Sequence, residues 1–306
     1  MMKKKNILIT GGLGQVGKEL TKFLLKKGHK VHVVTNKKSR KKIKNSVISI
    51  FDISNKKKVF KFLKKNKINC IYFLASHNIS STEKETESLN DKNIKTNVIS
   101  LTNFLNYIYK HNKKIKLFYS SSSHIFNNQF RYPQKVSTKA KFSSFYGLAK
   151  FLGKEICEFY RNEKRIFCSV GIMYTNVSIN IGKNFLIKTI ISQLKSKRKF
   201  VKLNNPNAKI DIISTKDAVK AMYKIMQLEK PNTFIISRNK FISIKQIYNQ
   251  ISKKMGINKK ILINSKKKIN KGNYLLGDNK KIKKMTKWKP EDNLNDIVDL
   301  FFKDEK

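Results

Sequence analysis

The chain has 306 residues, of which 40% are hydrophobic and 28% charged, a composition typical of globular proteins and unlike that of disordered ones. No apolar run reaches the ~18–20 residues that a membrane-spanning helix needs. Lysine and arginine outnumber aspartate and glutamate by 68 to 19, which gives a formal net charge of +49.

This charge has two explanations. A basic protein can bind nucleic acid or an anionic membrane. Alternatively, an A- and T-rich genome favours codons for lysine, asparagine and isoleucine. Only six of the basic residues are arginine, the residue that base-reading and bidentate phosphate sites favour, and the lysines are scattered along the chain. The sequence therefore favours codon bias, and we expect neither a specific nucleic-acid partner nor a membrane partner.

The amino terminus and the cysteines predict the cellular compartment. Met1–Lys5 is basic, like the start of a signal peptide, but the apolar run at 7–9 ends at glycines and is too short for a signal core. Cys70, Cys157 and Cys168 are isolated and lack metal-ligand spacing. We expect reduced, core-packed thiols, no metal site and a cytoplasmic protein.

A glycine-rich turn follows the first predicted strand, at 5–10. The segment Gly11-Gly-Leu-Gly-Gln-Val-Gly17 leads directly into a helical apolar stripe. Glycines at these spacings allow the backbone to approach a pyrophosphate, and the helix that follows presents free N–H groups to it. The turn predicts a dinucleotide site formed by Gly11, Gly14, Gln15, Val16 and Gly17.

The second predicted strand, at 30–35, should end beside the adenosine ribose. An NAD site usually has an acidic residue there, which accepts a hydrogen bond from the 2′-hydroxyl. This chain has no acid between Glu19 and Asp52, and it has Asn36 and Lys37 where the strand ends. The sequence therefore favours NADP over NAD.

The next strands supply further predicted cofactor contacts. The third strand, at 47–51, leads to Asp52 and Ile53, and Asp52 is expected to accept from the adenine amino group. The fourth, at 69–74, is followed by backbone that we expect to contact the cofactor. Residues 79–93 are polar and predict a loop, and a helix is predicted over 94–109. The cofactor contacts from these segments are Asp52, Ile53, Leu74, Ala75, Ser76 and Asn97.

The fifth predicted strand, at 115–119, ends in a run of four serines, and a helix carrying Tyr146 and Lys150 follows. Their four-residue spacing puts both side chains on one helix face. A phenol normally titrates near ~10, and a neighbouring ammonium favours the phenolate, so we expect Lys150 to lower the pKa of Tyr146. Strand ends and the following helices meet at the ligand crevice of a parallel sheet, which predicts acid–base chemistry there.

After a sixth strand at 165–170 the alternation of strands and helices ends. Helices are predicted at 184–197, 215–228, 243–254 and 292–303, with one strand at 233–237. We predict an α/β fold: a Rossmann-type doubly wound parallel sheet with a smaller, mostly helical C-terminal substrate domain. The expected division is 1–172, plus the late strand near 233–237, and 173–306, interleaved with the sheet.

Together these motifs resemble the extended short-chain dehydrogenase/reductase family of nucleotide-sugar enzymes, also described as epimerases/dehydratases. The chain is most similar to the GDP-mannose 4,6-dehydratases, and the similarity covers nearly all of it. The segments that carry it are Thr10–Gly17, the serine run, Tyr146-x-x-x-Lys150, Gly182–Phe185, Asn207–Lys209 with Asp211 and Asp217, Leu275–Asp278 and Trp288–Pro290.

The resemblance implies specific roles. Tyr146 would take the proton of the sugar C4 hydroxyl, Ser122 would hydrogen-bond that hydroxyl, and Lys150 would bind the nicotinamide ribose. It also implies a dehydratase base at position 124, which is His124, and a homodimer or homotetramer. The substrate contacts that it implies are Asn184, Lys209 and Lys268.

Several positions depart from the family pattern. His124 stands where a dehydratase has a carboxylate, and imidazole can still act as a base because its pKa is near neutral. Ile210 replaces an arginine expected at the nucleotide diphosphate, and Lys268 replaces a second one. Asn180 and Ile181 replace an arginine pair associated with tetramer contacts.

These observations leave three functions open. The first is an NADP-dependent enzyme acting on a nucleotide-activated hexose such as GDP-mannose, as a 4,6-dehydratase. The second is a 4-reductase or 4-epimerase, which needs Ser122, Tyr146 and Lys150 but no carboxylate at 124. The third is a non-catalytic cofactor- or polyanion-binding protein, against which the complete Ser/Tyr/Lys set argues.

Overall fold

A computed structural model gives the fold and describes residues 4–36, 43–77, 85–126, 132–263 and 274–302. The predicted contacts Lys37 and Lys268 lie outside these residues. No helix in the described residues is both long and apolar enough to cross a membrane.

Short strands alternate with helices along the first half of the chain. In chain order, the strands of the described residues are β1 Asn6–Thr10, β2 Lys30–Thr35, β3 Val47–Ile50, β4 Cys70–Phe73, β5 Lys116–Ser122, β6 Cys168–Met173, β7 Thr175–Val177, β8 Phe200–Leu203, β9 Lys209–Ile210, β10 Ile212–Ser214, β11 Thr233–Ile236, β12 Ile242–Ser243 and β13 Lys260–Ile263.

The helices complete these units. They are α1 Gln15–Lys26, α2 Lys56–Asn66, α3 Glu87–Ile94, α4 Leu101–His111, α5 Phe145–Asn162, α6 Leu186–Lys195, α7 Thr215–Ile225, α8 Ile244–Met255, α9 Lys280–Thr286 and α10 Leu294–Asp299. A π-helical segment, Lys95–Ser100, joins α3 to α4, and a 3₁₀ turn, Ser123–Phe126, follows β5.

Seven parallel strands form the main sheet, in the order β3-β2-β1-β4-β5-β6-β11. Its central strands are apolar along their length because both faces are covered; β4, for example, is buried at all four positions. The chain reverses direction across the sheet between β1 and β4, and ligands of open α/β sheets bind at that point, beyond the carboxyl ends of the strands. The predicted doubly wound parallel sheet is confirmed.

The second half of the chain adds three two-stranded pairings, β7 with β10, β9 with β12 and β8 with β13. Helices α6, α8 and α10 bury a separate apolar cluster beside them, including Ile190, Ile251 and Ile297. Strand β11 and helix α7 return to the main sheet, where Met222 packs in the same cluster as Leu20. The domain boundary at 172 stays a prediction.

One sequence-based assignment was wrong. The segment 79–93 was predicted to be a loop, but α3 begins at Glu87, where the Thr86 hydroxyl accepts a hydrogen bond from Leu89 N–H at 3.3 Å. This helix is polar and lacks an apolar stripe, so periodicity could not reveal it. The single helix predicted over 94–109 is also interrupted by the π-helical segment.

Candidate active site

The turn between β1 and α1 depends on its glycines. Gly11 has a φ of +71°, a conformation that costs a side-chain-bearing residue free energy. A Cβ on Gly17 would lie 2.3 Å from the Gly11 carbonyl oxygen, so only glycine allows α1 to pack this closely against the turn. Gly14 is exposed and precedes α1 directly, leaving the N–H groups of the first helical turn available to an anion.

A pocket of about 280 Å³ opens beside this turn, at the carboxyl ends of β1, β2 and β4. It contains most of the cofactor contacts predicted from the sequence. They are Gly11, Gly14, Asn36, Asp52, Ile53, Leu74, Ala75 and Ser76. The lining also includes residues that the sequence analysis missed, although most adjoin a predicted contact: Leu13, Val34, Thr35, Phe51, His77 and Thr96.

The end of the pocket near β2 contains one carboxylate among its lining residues, that of Asp52. Lys95 Nζ lies 2.9 Å from Asp52 Oδ2, and Ser54 N–H donates to Oδ1 at 2.9 Å. Burial raises the pKa of Asp52, but the hydrogen bonds from Ser54 and Lys95 outweigh it and the net pKa is lowered. Asp52 is therefore ionised at neutral pH, and Lys95 neutralises part of its charge.

Three predicted cofactor contacts have side chains directed elsewhere. Gln15 Nε2 donates to the Asn176 carbonyl at 3.0 Å and to Thr215 Oγ1 at 3.3 Å, which ties the glycine turn to β7 and α7. Val16 packs against the apolar cluster under the sheet. Asn97 is fully buried, and its Oδ1 accepts from Tyr119 Oη at 3.2 Å. Any contact from Gln15 or Val16 to a phosphate would use the backbone.

The serine run and the helix carrying Tyr146 converge as predicted. Ser122 is the last residue of β5, and Tyr146 is the second residue of α5. Ser144 caps this helix by accepting from Gly147 N–H at 3.1 Å. A Cβ on Gly147 would lie 2.6 Å from the His124 carbonyl oxygen, so this glycine lets the helix start pack against the turn that follows β5.

Tyr146 is 9% exposed, and burial raises the pKa of its phenol. The nearby hydroxyls of Ser122 and Ser76 lower the pKa in part, without cancelling the effect of burial. Ser122 lies at the end of β5 and Ser76 in the lining of the cofactor pocket, so the phenol lies next to both. The phenol is therefore protonated at neutral pH in the cofactor-free protein.

Lys150 does not lower the pKa of Tyr146 as the sequence analysis predicted. Lys150 is 2% exposed, and its ammonium donates to the Ser120 carbonyl at 2.7 Å and lies 5.8 Å from the centre of the Tyr146 ring. Burial lowers the pKa of Lys150 to about 7, so the amine is only partly charged at neutral pH. The prediction was wrong because it considered the lysine as a charge and not as a buried group.

His124 meets Tyr146 edge to face, with ring centres 5.5 Å apart and planes at 85°. Its backbone N–H donates to Ser122 Oγ at 3.3 Å. Burial lowers the pKa of the imidazole, while the negative charge of Glu85 raises it in part. His124 is thus a neutral imidazole next to the phenol and able to take up a proton.

Two of the predicted substrate contacts are described, and both are exposed. Asn184 lies just before α6, and Lys209 lies in β9 with its ammonium 6.0 Å from the centre of the Phe241 ring. Neither side chain lines the pocket beside the glycine turn.

Sequence reasoning also missed Glu85. Its Oε2 accepts from Phe145 N–H at 3.1 Å and its Oε1 accepts from Tyr146 N–H at 3.2 Å. Glu85 is separated from Phe145 by 60 positions in the sequence and from Tyr146 by 61, so no local sequence pattern predicts these hydrogen bonds.

Comparisons with known proteins identify the family of the chain. The family model described as GDP-mannose 4,6 dehydratase matches residues 8–301. GDP-mannose 4,6 dehydratase 1 of Arabidopsis thaliana is 24% identical, over 97% of this chain and 88% of the relative. The human GDP-mannose 4,6 dehydratase is 25% identical, over 80% of this chain and 71% of the relative.

Solved structures share the fold at lower identity. UDP-glucose 4-epimerase of Thermotoga maritima, solved with UDP-glucose, has a TM-score of 0.84 at 20% identity and covers 98% of this chain and 100% of its own. dTDP-glucose 4,6-dehydratase of Bacillus anthracis, solved with NAD, has a TM-score of 0.82 at 18% identity, and the match covers 98% of this chain and 97% of that structure's chain. With the family match across nearly the whole chain, the protein belongs to the GDP-mannose 4,6 dehydratase family, within the extended short-chain epimerases/dehydratases.

Proposed function

We propose that the protein is an NADP-dependent 4,6-dehydratase of a nucleotide-activated hexose, with GDP-mannose as the first substrate to test. The observation that carries the proposal is the meeting of Tyr146 with Ser122 at the end of β5, next to the pocket that contains Ser76. Family membership supports the nucleotide-sugar substrate.

The pocket fits a dinucleotide. Gly11 and Gly14 provide backbone without side chains, the helix α1 begins there, and Asp52, Leu74 and Ala75 line the far wall. Asn36, in the place of an acidic residue at the end of β2, favours NADP over NAD. The residues of this pocket would hold the cofactor, which would supply the hydride-transfer chemistry between sugar C4 and C6.

The side chains then have these roles. Ser122 holds the C4 hydroxyl, and Tyr146, once its phenol has released its own proton to solvent, takes the hydroxyl proton as C4 is oxidised. Lys150, whose pKa burial lowers to about 7, lies behind the phenol and gains a partner when the nicotinamide ribose hydroxyls are present. His124, neutral at the start, takes the C5 proton, and the imidazolium gives it to the C6 oxygen as the C6–O bond breaks and water leaves. Tyr146 then gives the proton that it took from the C4 hydroxyl to C5 as C6 receives the hydride.

A second candidate rests on the same histidine. A 4-reductase or 4-epimerase needs proton exchange only at C4, and position 124 then needs no acid–base group. The absence of a carboxylate at 124 favours this reading. Cofactor balance separates the two, because a dehydratase consumes no reductant while a reductase consumes one NADPH for each turnover.

The test is incubation of the purified protein with GDP-mannose and trace NADP, followed by mass spectrometry of the sugar nucleotide. A dehydratase yields a product that has lost one water, with no net NADPH. Conversion of a 4-keto sugar nucleotide with NADPH consumption would instead establish the reductase.

Two variants serve as controls. Tyr146→Phe should abolish all turnover while leaving NADP affinity within about twofold, because the phenol acts on the C4 hydroxyl. His124→Gln should remove water elimination, by roughly 10²- to 10⁴-fold for a general acid–base group, yet still allow hydride transfer at C4. Turnover by Tyr146→Phe at the wild-type rate would overturn the assignment.

A further inference from the structure

Glu85 connects the start of α3 to the start of α5, two helix ends that are far apart in the sequence. It precedes Thr86, the N-cap of α3, so the start of that helix fixes its backbone. Its carboxylate reaches across to the start of α5 and accepts one N–H with each oxygen, from Phe145 and from Tyr146. Helices α3 and α5 also pack against each other.

The geometry points to Glu85 as a positioning residue for Tyr146. This inference rests on the proposed function, in which Tyr146 acts on the sugar hydroxyl. The carboxylate binds the backbone N–H of Tyr146 itself, and its second oxygen binds the residue before it. The two bonds fix both the position and the direction of the first turn of α5.

The energetics favour a carboxylate here. The first N–H groups of a helix have no partner within it, and a helix start carries partial positive charge. Ser144 satisfies one of these groups, that of Gly147. Glu85 satisfies two more with charge-assisted bonds, whose strength is reduced by solvent because Glu85, like Glu87, is exposed.

The same charge also acts on His124. Burial lowers the pKa of that imidazole, and Glu85 opposes the effect. The His124 ring meets the Tyr146 ring at 5.5 Å, so one carboxylate influences both proposed proton-transfer groups. A side chain that fixes the phenol and favours the imidazolium suits a reaction in which both groups exchange protons.

The experiment compares Glu85→Ala, Glu85→Gln and Glu85→Asp with Glu87→Ala. Glu87 is an exposed acid two residues away whose carboxylate has no hydrogen bond or ion pair within the described residues. Hydrogen–deuterium exchange of peptides covering the start of α5 is measured in the substrate-free protein, and kcat and KM are measured with the nucleotide sugar that the wild type turns over.

We expect Glu85→Ala to speed exchange at Phe145 and Tyr146 and to lower kcat by about 10- to 100-fold, since a small misplacement of a reacting group costs this much. KM and NADP affinity should stay within about twofold. Glu85→Gln keeps one acceptor oxygen and loses the charge, so its exchange rate and kcat should be intermediate. Both values for Glu85→Asp should be closer to those of the wild type. Glu87→Ala should match the wild type in both measurements.

Unchanged exchange at the start of α5 in Glu85→Ala would overturn the inference whether or not the enzyme is active. Faster exchange with wild-type kcat would also overturn it, because the carboxylate would then stabilise the helix without positioning the phenol. If the wild type is inactive on every nucleotide sugar tested, the proposed function is overturned, and the positioning role with it. In the Glu85 variants, NADP binding equal to that of the wild type would show that the protein is still folded.

Discussion

Lys150 and Lys154 lie one turn apart on α5, both are buried, and their surroundings act on them in opposite directions. Burial lowers the pKa of Lys150 to about 7, and the described residues give its ammonium a carbonyl but no carboxylate. Burial also acts to lower the pKa of Lys154, but hydrogen bonds to Glu155 and Glu158 outweigh it and the net pKa is raised. The two lysines therefore have opposite effects on stability as pH changes.

Lys150→Met should stabilise the cofactor-free protein, most strongly below pH ~7. An unfolded lysine keeps its proton to about pH 10, whereas the folded Lys150 releases it near about 7. Between these values the unfolded chain binds more protons, so the wild type gains stability as pH rises. The advantage of the variant should shrink by up to about 1.4 kcal/mol per pH unit above neutrality in urea unfolding.

Lys154→Met is the matched control for this prediction. Because the pKa of Lys154 is raised in the folded protein, its ion pairs stabilise the protein fully at any pH below the pKa of an unfolded lysine. This stabilisation is lost only as the pH rises above that pKa. The variant should therefore be less stable than the wild type, by a similar amount, at pH 6 and at pH 9. A Lys150→Met advantage that is equal at the two pH values would show that Lys150 is charged throughout.

At the scale of elements, the helices and strands that could be predicted from the sequence are those that a local residue pattern defines. Strand β1, the glycine turn and α1 follow each other directly, so glycine spacing and an apolar stripe suffice. Helix α3 was missed because a cap and exposed polar residues define it. The bonds from Glu85 to α5, and the burial that lowers the pKa of Lys150, come from tertiary packing and have no signature in nearby residues.

Asp211 shows how one buried side chain connects several elements. It lies between β9 and β10, is 1% exposed and accepts from the N–H groups of Arg238, Asn239 and Gly277 at 2.9, 2.9 and 3.2 Å. Burial raises its pKa to about 6 although these three donors favour the charged form. The carboxylate thus holds the end of β11 and the segment before α9 against β10.

Asp211→Asn should destabilise the protein by roughly 1–3 kcal/mol, because an amide keeps one acceptor oxygen and turns an NH₂ group toward the other donors. The measurement is urea unfolding at pH 8, where the wild-type side chain is ionised. Asp91→Asn is the control: Asp91 is exposed, and its carboxylate has no hydrogen bond in the described residues. Equal stability of wild type and Asp211→Asn would mean that the three N–H groups find other partners.

At the scale of the whole molecule, the net charge of +49 is a property of the surface and not of the fold. Acidic residues are few, and several of them form ion pairs, such as Asp52 with Lys95, Asp292 with Lys216 and Asp299 with Lys254. Most lysines of the described residues therefore face solvent with no acidic partner nearby. Such a surface attracts any polyanion through long-range charge, which salt screens.

We expect the protein to bind random duplex DNA at low salt, with an affinity that falls by roughly 10³-fold between about 50 and 200 mM salt and does not depend on sequence. The measurement is fluorescence anisotropy with several unrelated duplexes. Replacing Lys266, Lys267 and Lys268 together by glutamine is the control, because it removes three of 68 basic residues and should weaken binding only slightly if the charge acts as a whole. Two results would overturn the codon-bias explanation of the lysines and reveal a defined nucleic-acid site. One is sequence-selective binding that persists at physiological salt, and the other is loss of DNA binding in the triple variant.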